Sequence, residues 1–232
     1  MELFQSDTGY RYNSDTLLLF DFISGFKPKG SLLDVGCGCG ILGLLLKRDF
    51  PTLHVSLLDI ERHNCTIAQT NATHNAITID AITCKDFLEL PHEQKFDNIV
   101  SNPPFYHGGA LKSESKHLSI ARYSEHLPFA SFAHKVSKIL TNKGYVTFCY
   151  DAKQLQHVLH ALHDAKLSVE ALRCVHTKEG NEASLILVRA RKNSKTLCTI
   201  HPPLIVGDTG GYLPHIKAIF EHANTQSLAW KD

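Results

Sequence analysis

At position 102 the chain reads Asn102-Pro103-Pro104-Phe105, four residues that together could activate an amino group. Proline lacks an N–H and fixes its own φ, so two in succession make a rigid turn. In such a turn the Asn102 side-chain oxygen and the Pro103 carbonyl can point together as two acceptors. A planar amino group with two hydrogens fits that pair. Its lone pair is delocalised into the ring it belongs to. Two acceptors draw it toward tetrahedral geometry and stabilise the positive charge that develops as nitrogen attacks an electrophile in line, with no strong base required. Phe105 then offers a flat face on which a flipped-out base can stack. For a lone tetrapeptide a proline turn with an aromatic plug would be the simpler account. Here the turn follows an apolar strand and lies downstream of a glycine loop, at the carboxyl edge where open α/β sheets bind ligands.

That loop is Asp34-Val35-Gly36-Cys37-Gly38-Cys39-Gly40. It follows one apolar run and opens the next, where side chains must vanish for a ligand to approach backbone at a helix start. Gly38, Gly40 and Gly43 also satisfy a dinucleotide fingerprint, and Asp59 stands about where such a site puts its ribose carboxylate. The loop alone leaves both ligands open. Three features favour S-adenosylmethionine: Asp34 ahead of the glycines, Asp59 to accept both ribose hydroxyls, and Asp86 to meet an adenine amino group. A dinucleotide would leave Asp34 and Asp86 without a partner. The alternative is that all three acids are helix caps on an ordinary scaffold.

The elements that must position these residues alternate. Strand-like runs at Ser31 to Val35, His54 to Asp59, Ile79 to Thr83, Phe96 to Ser101 and Gly144 to Tyr150 are separated by helical ones at Ile41 to Asp49, Glu61 to Ala76 and Phe129 to Leu140, and Asp151 to Ala165 is helical again. This predicts a mostly parallel sheet with helices on both faces. Leu167 to His176 and Ala183 to Lys192, joined by a polar link with Gly180 and Asn181, predict an antiparallel hairpin that brings the sheet to seven strands. Two segments stand outside the alternation: residues 1–30, with an apolar helical stretch from Thr16 to Phe26, and residues 193–232. Neither has the composition of a linker, so the expectation is one α/β domain over 1–232 with its core at 31–192.

Composition narrows the function classes. The 232 residues are 43% hydrophobic and 20% charged with a net charge of +1, so no whole-molecule field would bind a polyanion, and an RNA partner needs a local patch. Seven cysteines, none in a CxxC pair, predict reduced thiols. With no apolar run long enough to span a bilayer and no leader-like start, the expectation is a cytoplasmic protein without a membrane partner.

On these motifs the chain resembles class I amino-methyltransferases: the glycine loop, LLDIE around Asp59, KDF around Asp86, and SNPPF. GYRYNSDTLLL at 9–19, IARYSEH at 120–126, GNEASLILV at 180–188 and HPPLIV at 201–206 narrow the resemblance to the bacterial valine-tRNA adenine N(6)-methyltransferase family. It implies a Rossmann-like fold, S-adenosyl-L-methionine as cofactor and a tRNA adenine beside the anticodon as substrate. It also implies that Asn102, Pro103, Pro104 and Phe105 hold the target base. Asp34, Gly36, Gly38, Gly40, Asp59, Ile60, Asp86, Phe87 and Asn102 would hold the cofactor, with Tyr12 and Asp15 closing over it. NPPF where NPPY is common keeps the stacking face and drops a hydroxyl. The amine-binding turn fits adenine, guanine or a glutamine amide equally, so ribosomal RNA guanine N(2)- and protein-glutamine N(5)-methyltransferases are the alternatives. A tRNA-binding protein with a vestigial pocket is the non-enzyme alternative. Glutamine enzymes of the release-factor type carry a separate N-terminal helical domain and duplicated guanine enzymes a longer chain. The roughly 30 residues before Ser31 predict neither, which points to adenine in tRNA; a monomer is the separate expectation for assembly.

Other features have plainer readings. Lys112, Lys116 and Arg122 follow the turn in a polar stretch that could be a lid gripping RNA, while Arg189 and Arg191 could contact phosphates or blunt an edge strand. His157, His160 and His163 recur every three residues, which reads as a solvated helix face with no metal, and Cys37 reads as packing.

Overall fold

A computed structural model describes residues 1–6, 13–103 and 127–230. Its strands are β1 (Glu2–Ser6), β2 (Ser31–Val35), β3 (His54–Asp59), β4 (Ala81–Cys84), β5 (Phe96–Ser101), β6 (Leu140–Asp151), β7 (Leu167–Lys178), β8 (Ala183–Lys192), β9 (Thr199–Ile200), β10 (Leu204–Asp208), β11 (Gly211–Tyr212) and β12 (Gln226–Trp230). Its helices are α1 (Ser14–Ser24), α2 (Ile41–Asp49), α3 (Arg62–His74), α4 (Phe129–Ile139), α5 (Leu155–Asp164) and α6 (Pro214–Ala223).

The large sheet has ten strands in the order β11-β10-β7-β8-β6-β5-β2-β3-β4, with β9 paired to β7 off this path. The pairs from β4 through β6 are parallel, and β8 is antiparallel to both β6 and β7. Seven of these strands are those the sequence predicts. The other three, β9, β10 and β11, come from residues 193–232, which extend the sheet beyond β7. The hairpin turns at Gly180, whose φ of 79° is the left-handed conformation that glycine tolerates. The strand expected at Ile79 to Thr83 forms two residues later, and the last helical stretch begins with a 3-10 turn, Ala152–Gln154.

Both faces are covered. One core joins Leu17 to Phe20 of α1, Leu44 to Leu46 of α2, Leu185 and Leu187 of β8, and Ile216 of α6. The other joins Phe132 and Val136 of α4, Val158 and Leu162 of α5, and Ile186 and Val188 of β8. Alternate residues of β8 feed opposite cores, which is why that strand reads as one continuous apolar run. α1 is held to the first core by its apolar content and started by Asn13, whose side chain accepts the Asp15 N–H at 3.1 Å.

The two ends of the chain also meet. β1 and β12 form a small parallel sheet, with Phe4 opposite Leu228, and Phe4 edges against the Trp230 ring at 5.9 Å between centroids. Neither strand was expected from the sequence.

Candidate active site

The chain order reverses between β2 and β5, the point at which open α/β sheets form their ligand crevice. Val35 pairs with Ser101, so the backbone leaves both strands side by side, into the glycine loop from one and the Asn102 turn from the other. The Ser101 hydroxyl, itself buried, donates to the Val35 carbonyl at 2.7 Å and ties the two exits together. A cleft opens there, lined by Thr16, Asp34, Gly36 to Cys39, Ile41, Leu42 and Asn102.

The loop is built by its glycines. Gly36 and Gly38 have φ of 68° and 55°, and a Cβ on either would project into open space. Backbone is thereby presented to the cleft with no side chain in front of it. The Gly36 and Cys37 N–H groups donate to the Leu58 carbonyl at 2.8 and 3.0 Å, which anchors the loop to β3. Gly43 serves packing: a Cβ there would lie 2.3 Å from the Leu57 side chain and 3.2 Å from Asp34 Oδ2, so any side chain at position 43 would force Leu57 to move.

Asp34 is 1% exposed and accepts the Gly43 N–H at 2.9 Å. Burial pushes its carboxyl up to about 7, and the neighbouring Asp59 charge adds to the effect. Asp59 is 6% exposed and accepts from Gly38 N–H at 2.8 Å, Glu61 N–H at 2.9 Å and Asn64 Nδ2 at 3.1 Å. Burial raises its carboxyl as well, opposed by those hydrogen bonds. A carboxylate has about four lone-pair sites, so three donors do not saturate it. Asp86 accepts the Leu88 N–H at 2.8 Å and caps the 3-10 turn Phe87–Glu89. The capping role is therefore real for Asp86, at the 3-10 turn past β4, and for Asp34, which holds a first-turn N–H of α2, whereas Asp59, the last residue of β3, bonds Glu61 and Asn64 at the start of a helix with no side-chain N-cap bond.

Asn102 is gripped from two sides. Its Nδ2 donates to the Thr16 hydroxyl at 3.2 Å, and its Oδ1 accepts from the Cys149 thiol at 3.0 Å. Thr16 comes from the first turn of α1 and Cys149 from β6. Asp15, one residue earlier, has its carboxyl raised by burial and its charge reaches Cys149. Neither Thr16 nor Cys149 stood out in the sequence. A third missed residue is Asn71 of α3, fully buried, which donates to the Cys39 carbonyl at 2.9 Å and exchanges hydrogen bonds with both backbone groups of Phe4. An Asn in the interior of a helix that is otherwise apolar at Ile67, Ala68 and Ala72 was the available signal.

The structure does not bring every expected residue to the cleft. Ile60 stands exposed past β3, but the Phe87 ring is buried in the second core against Phe132, so only its backbone can face a ligand. The edge-strand expectation for Arg189 and Arg191 is corrected: β8 lies between β6 and β7. The Arg189 guanidinium stacks 3.4 Å from the Tyr145 ring centroid and 4.3 Å from that of Phe26, and Arg191 sits 3.6 Å from Glu170. Tyr12, Pro104, Phe105, Lys112, Lys116 and Arg122 lie outside the described residues. His157, His160 and His163 line an exposed face of α5, and among the described residues no group of three potential metal ligands occurs. Among the same residues no helix is long and apolar enough to cross a membrane.

The described residues fit a cationic, nucleoside-like ligand. Asp34 and Asp59 are two buried carboxyls beside a loop of bare backbone, and a positive charge would relieve the cost of ionising them.

Comparison with known proteins agrees with this geometry. Residues 12–128 match the model of the methyltransferase small domain family. A tRNA1(Val) (adenine(37)-N6)-methyltransferase of Porphyromonas gingivalis is 26% identical over 97% of this chain and 92% of its own. The Vibrio campbellii protein of the same name is 26% identical over 61% of this chain and 59% of its own. A ribosomal RNA small subunit methyltransferase C of Pseudomonas entomophila is 32% identical over 50% of this chain, where the match spans 34% of that protein. Among solved structures, a predicted O-methyltransferase of Agrobacterium tumefaciens superimposes with a TM-score of 0.71 at 16% identity, covering 92% of this chain and 99% of that one. A T. thermophilus 16S rRNA N2-methyltransferase in complex with AdoMet and guanosine superimposes with a TM-score of 0.57 at 22% identity, covering 81% and 45%. At these identities the structural likeness concerns the fold.

Proposed function

The chain belongs to the methyltransferase small domain family, and on that footing we propose that it methylates the exocyclic amino group of an adenine in tRNA. When bound, its cofactor S-adenosyl-L-methionine supplies a methyl group activated by a positively charged sulfur. Gly36 and Gly38 would pass along that ligand, while Gly40, whose Cβ position is crowded by Ala68, Leu57 and Leu44, lets the loop pack on the core; Asp34 and Asp59 would face the ligand's polar and charged parts, and Asp86, Ile60 and the Phe87 backbone would meet its base. Asp15 and Tyr12 belong to the segment that would close the cleft.

The observation that carries the proposal is the position of Asn102 at the rim of this cleft, with its amide held by Thr16 and Cys149. Its oxygen and the Pro103 carbonyl would accept the two hydrogens of the substrate amine. Both acceptors gain strength as that nitrogen becomes positive, so they stabilise the transition state more than the ground state. Bulk solvent can take the released proton, because an N-methylated ammonium-like nitrogen is a strong acid. Phe105 would stack on the extruded base.

The choice of tRNA adenine rests on the relative of that name that aligns along almost the whole chain. The specific counter-observation is the higher identity, over half the chain, to a protein named for ribosomal RNA. Incubation with labelled cofactor and, separately, total tRNA, ribosomal RNA and release factor decides between them. N(6)-methyladenosine in one tRNA is the expected product. Label confined to ribosomal guanine or to protein glutamine overturns the substrate and leaves methyl transfer standing, while no transfer to any of them favours a binding protein. The RNA grip falls to Lys112, Lys116 and Arg122 in this proposal. Arg189 and Arg191 are occupied by contacts within the fold.

A further inference from the structure

We propose that Cys149 and Thr16 are positioning residues that set which end of the Asn102 amide faces the substrate. This rests on the reading of Asn102 as an acceptor for the substrate amine.

The two ends of an asparagine amide are nearly the same size, so packing barely distinguishes them, but their chemistry is opposite. With its oxygen toward the amine Asn102 is an acceptor. Rotated by half a turn it would present N–H groups to N–H groups and repel the substrate. The partners therefore decide the polarity of the site. On β6, Phe148 pairs with Ser101, so Cys149 is the residue level with Asn102 in the neighbouring strand. The Cys149 side chain is fully buried and its Sγ lies 3.0 Å from Oδ1. Burial and the charge of Asp15 both push the thiol well above its ordinary range, so it keeps its proton and serves as a donor. A donor at that place selects the oxygen.

At the other end the Thr16 hydroxyl, also buried, accepts from Nδ2 at 3.2 Å. The result is a one-way chain, from the Cys149 thiol to the Asn102 oxygen and from the Asn102 nitrogen to the Thr16 oxygen. An amide oxygen carries two lone pairs, so accepting the thiol is compatible with accepting a substrate N–H. The arrangement also couples the turn to α1, the helix that follows the segment expected to close over the cofactor.

The test uses the full chain labelled with ¹⁵N-asparagine, the Asn102 side-chain signals being assigned by their loss in Asn102→Asp. In Cys149→Ala and Thr16→Val those signals should shift and their exchange with solvent should quicken. In Cys149→Ser, which restores a small donor, and in Thr16→Ser they should stay near the wild-type positions. On RNA, Cys149→Ala should lower kcat by about three- to tenfold, the fold-change of one neutral hydrogen bond, with KM and cofactor affinity unchanged and with recovery in Cys149→Ser. Unshifted Asn102 signals in Cys149→Ala, or a Cys149→Ser enzyme as slow as Cys149→Ala, would overturn the proposal. The spectroscopic arm needs no turnover, so it decides the clamp even if no RNA is methylated. Conversely, if Asn102→Ala abolishes transfer while the clamp variants are silent, the function stands and the clamp falls.

Discussion

The Asp59 carboxylate accepts the Gly38 N–H at 2.8 Å, so the last residue of β3 holds the glycine loop that leaves β2. The same side chain holds the start of α3 through Glu61 and Asn64. A carboxylate expected to serve the cofactor thus also shapes the loop that receives it. Asp59→Ala should lose cofactor affinity in calorimetry and also lower the melting temperature, each hydrogen bond to the charged group being worth about 1.5–3 kcal/mol. An unchanged melting temperature would show that the loop is held by its Leu58 contacts alone.

Asp34 makes stability and cofactor binding depend on pH in opposite senses. Its folded carboxyl is pushed up to about 7, against an ordinary value near 4. Below about pH 4 both folded and unfolded chains carry the proton. Between about 4 and 7 the unfolded chain releases it and the fold retains it, so stability falls across that window by up to roughly 4 kcal/mol relative to Asp34→Asn. A cationic ligand favours the ionised form, so cofactor affinity should rise with pH and level off above about 7. Calorimetry from pH 5.5 to 8 checks this, and an equal slope in Asp34→Asn would assign the dependence to another group.

Gly43→Ala sets two effects against each other. Alanine in the helix gains about 1 kcal/mol, whereas forcing a methyl to 2.3 Å from buried Leu57 costs about 1–3 kcal/mol. Packing should win, giving a net loss of up to about 2 kcal/mol in chemical denaturation. A more stable variant would mean that Leu57 can swing aside.

Asn102→Ala should fold, bind cofactor as wild type and lose roughly 100- to 1,000-fold in turnover, the usual cost of one preorganised transition-state partner. Steady-state kinetics with saturating RNA measures it. A loss in KM alone would reduce Asn102 to a docking contact.

Asn71→Ala removes a buried amide that bonds Cys39 and both backbone groups of Phe4, leaving those groups unpaired. The expected cost is about 1–3 kcal/mol per stranded group, together with faster hydrogen exchange in β1 and β12. Exchange confined to α3 would show that the terminal sheet does not depend on this residue.

What could be read from the amino-acid order was what local chemistry determines. Apolar periodicity delimits β2, α2 and β3 to the residue, because burial of one face selects the spacing within a few positions of each side chain. Glycines with positive φ mark the loop, and paired prolines mark the turn. Contacts made across strands left no such trace. Cys149 and Asn102 are 47 positions apart and meet because the parallel register of β5 and β6 puts them level. β8, whose arginines resemble an edge, is interior because residues 167–178 form a further strand beside it and 204–208 another beyond. Strands β1 and β12 lie at opposite ends of the chain, outside the strand–helix alternation, and they exist because each supplies the other's hydrogen bonds. Local patterning therefore determined the elements and the class of chemistry. Register and layer order, which depend on the whole sheet, decided which side chains hold the reactive turn in place.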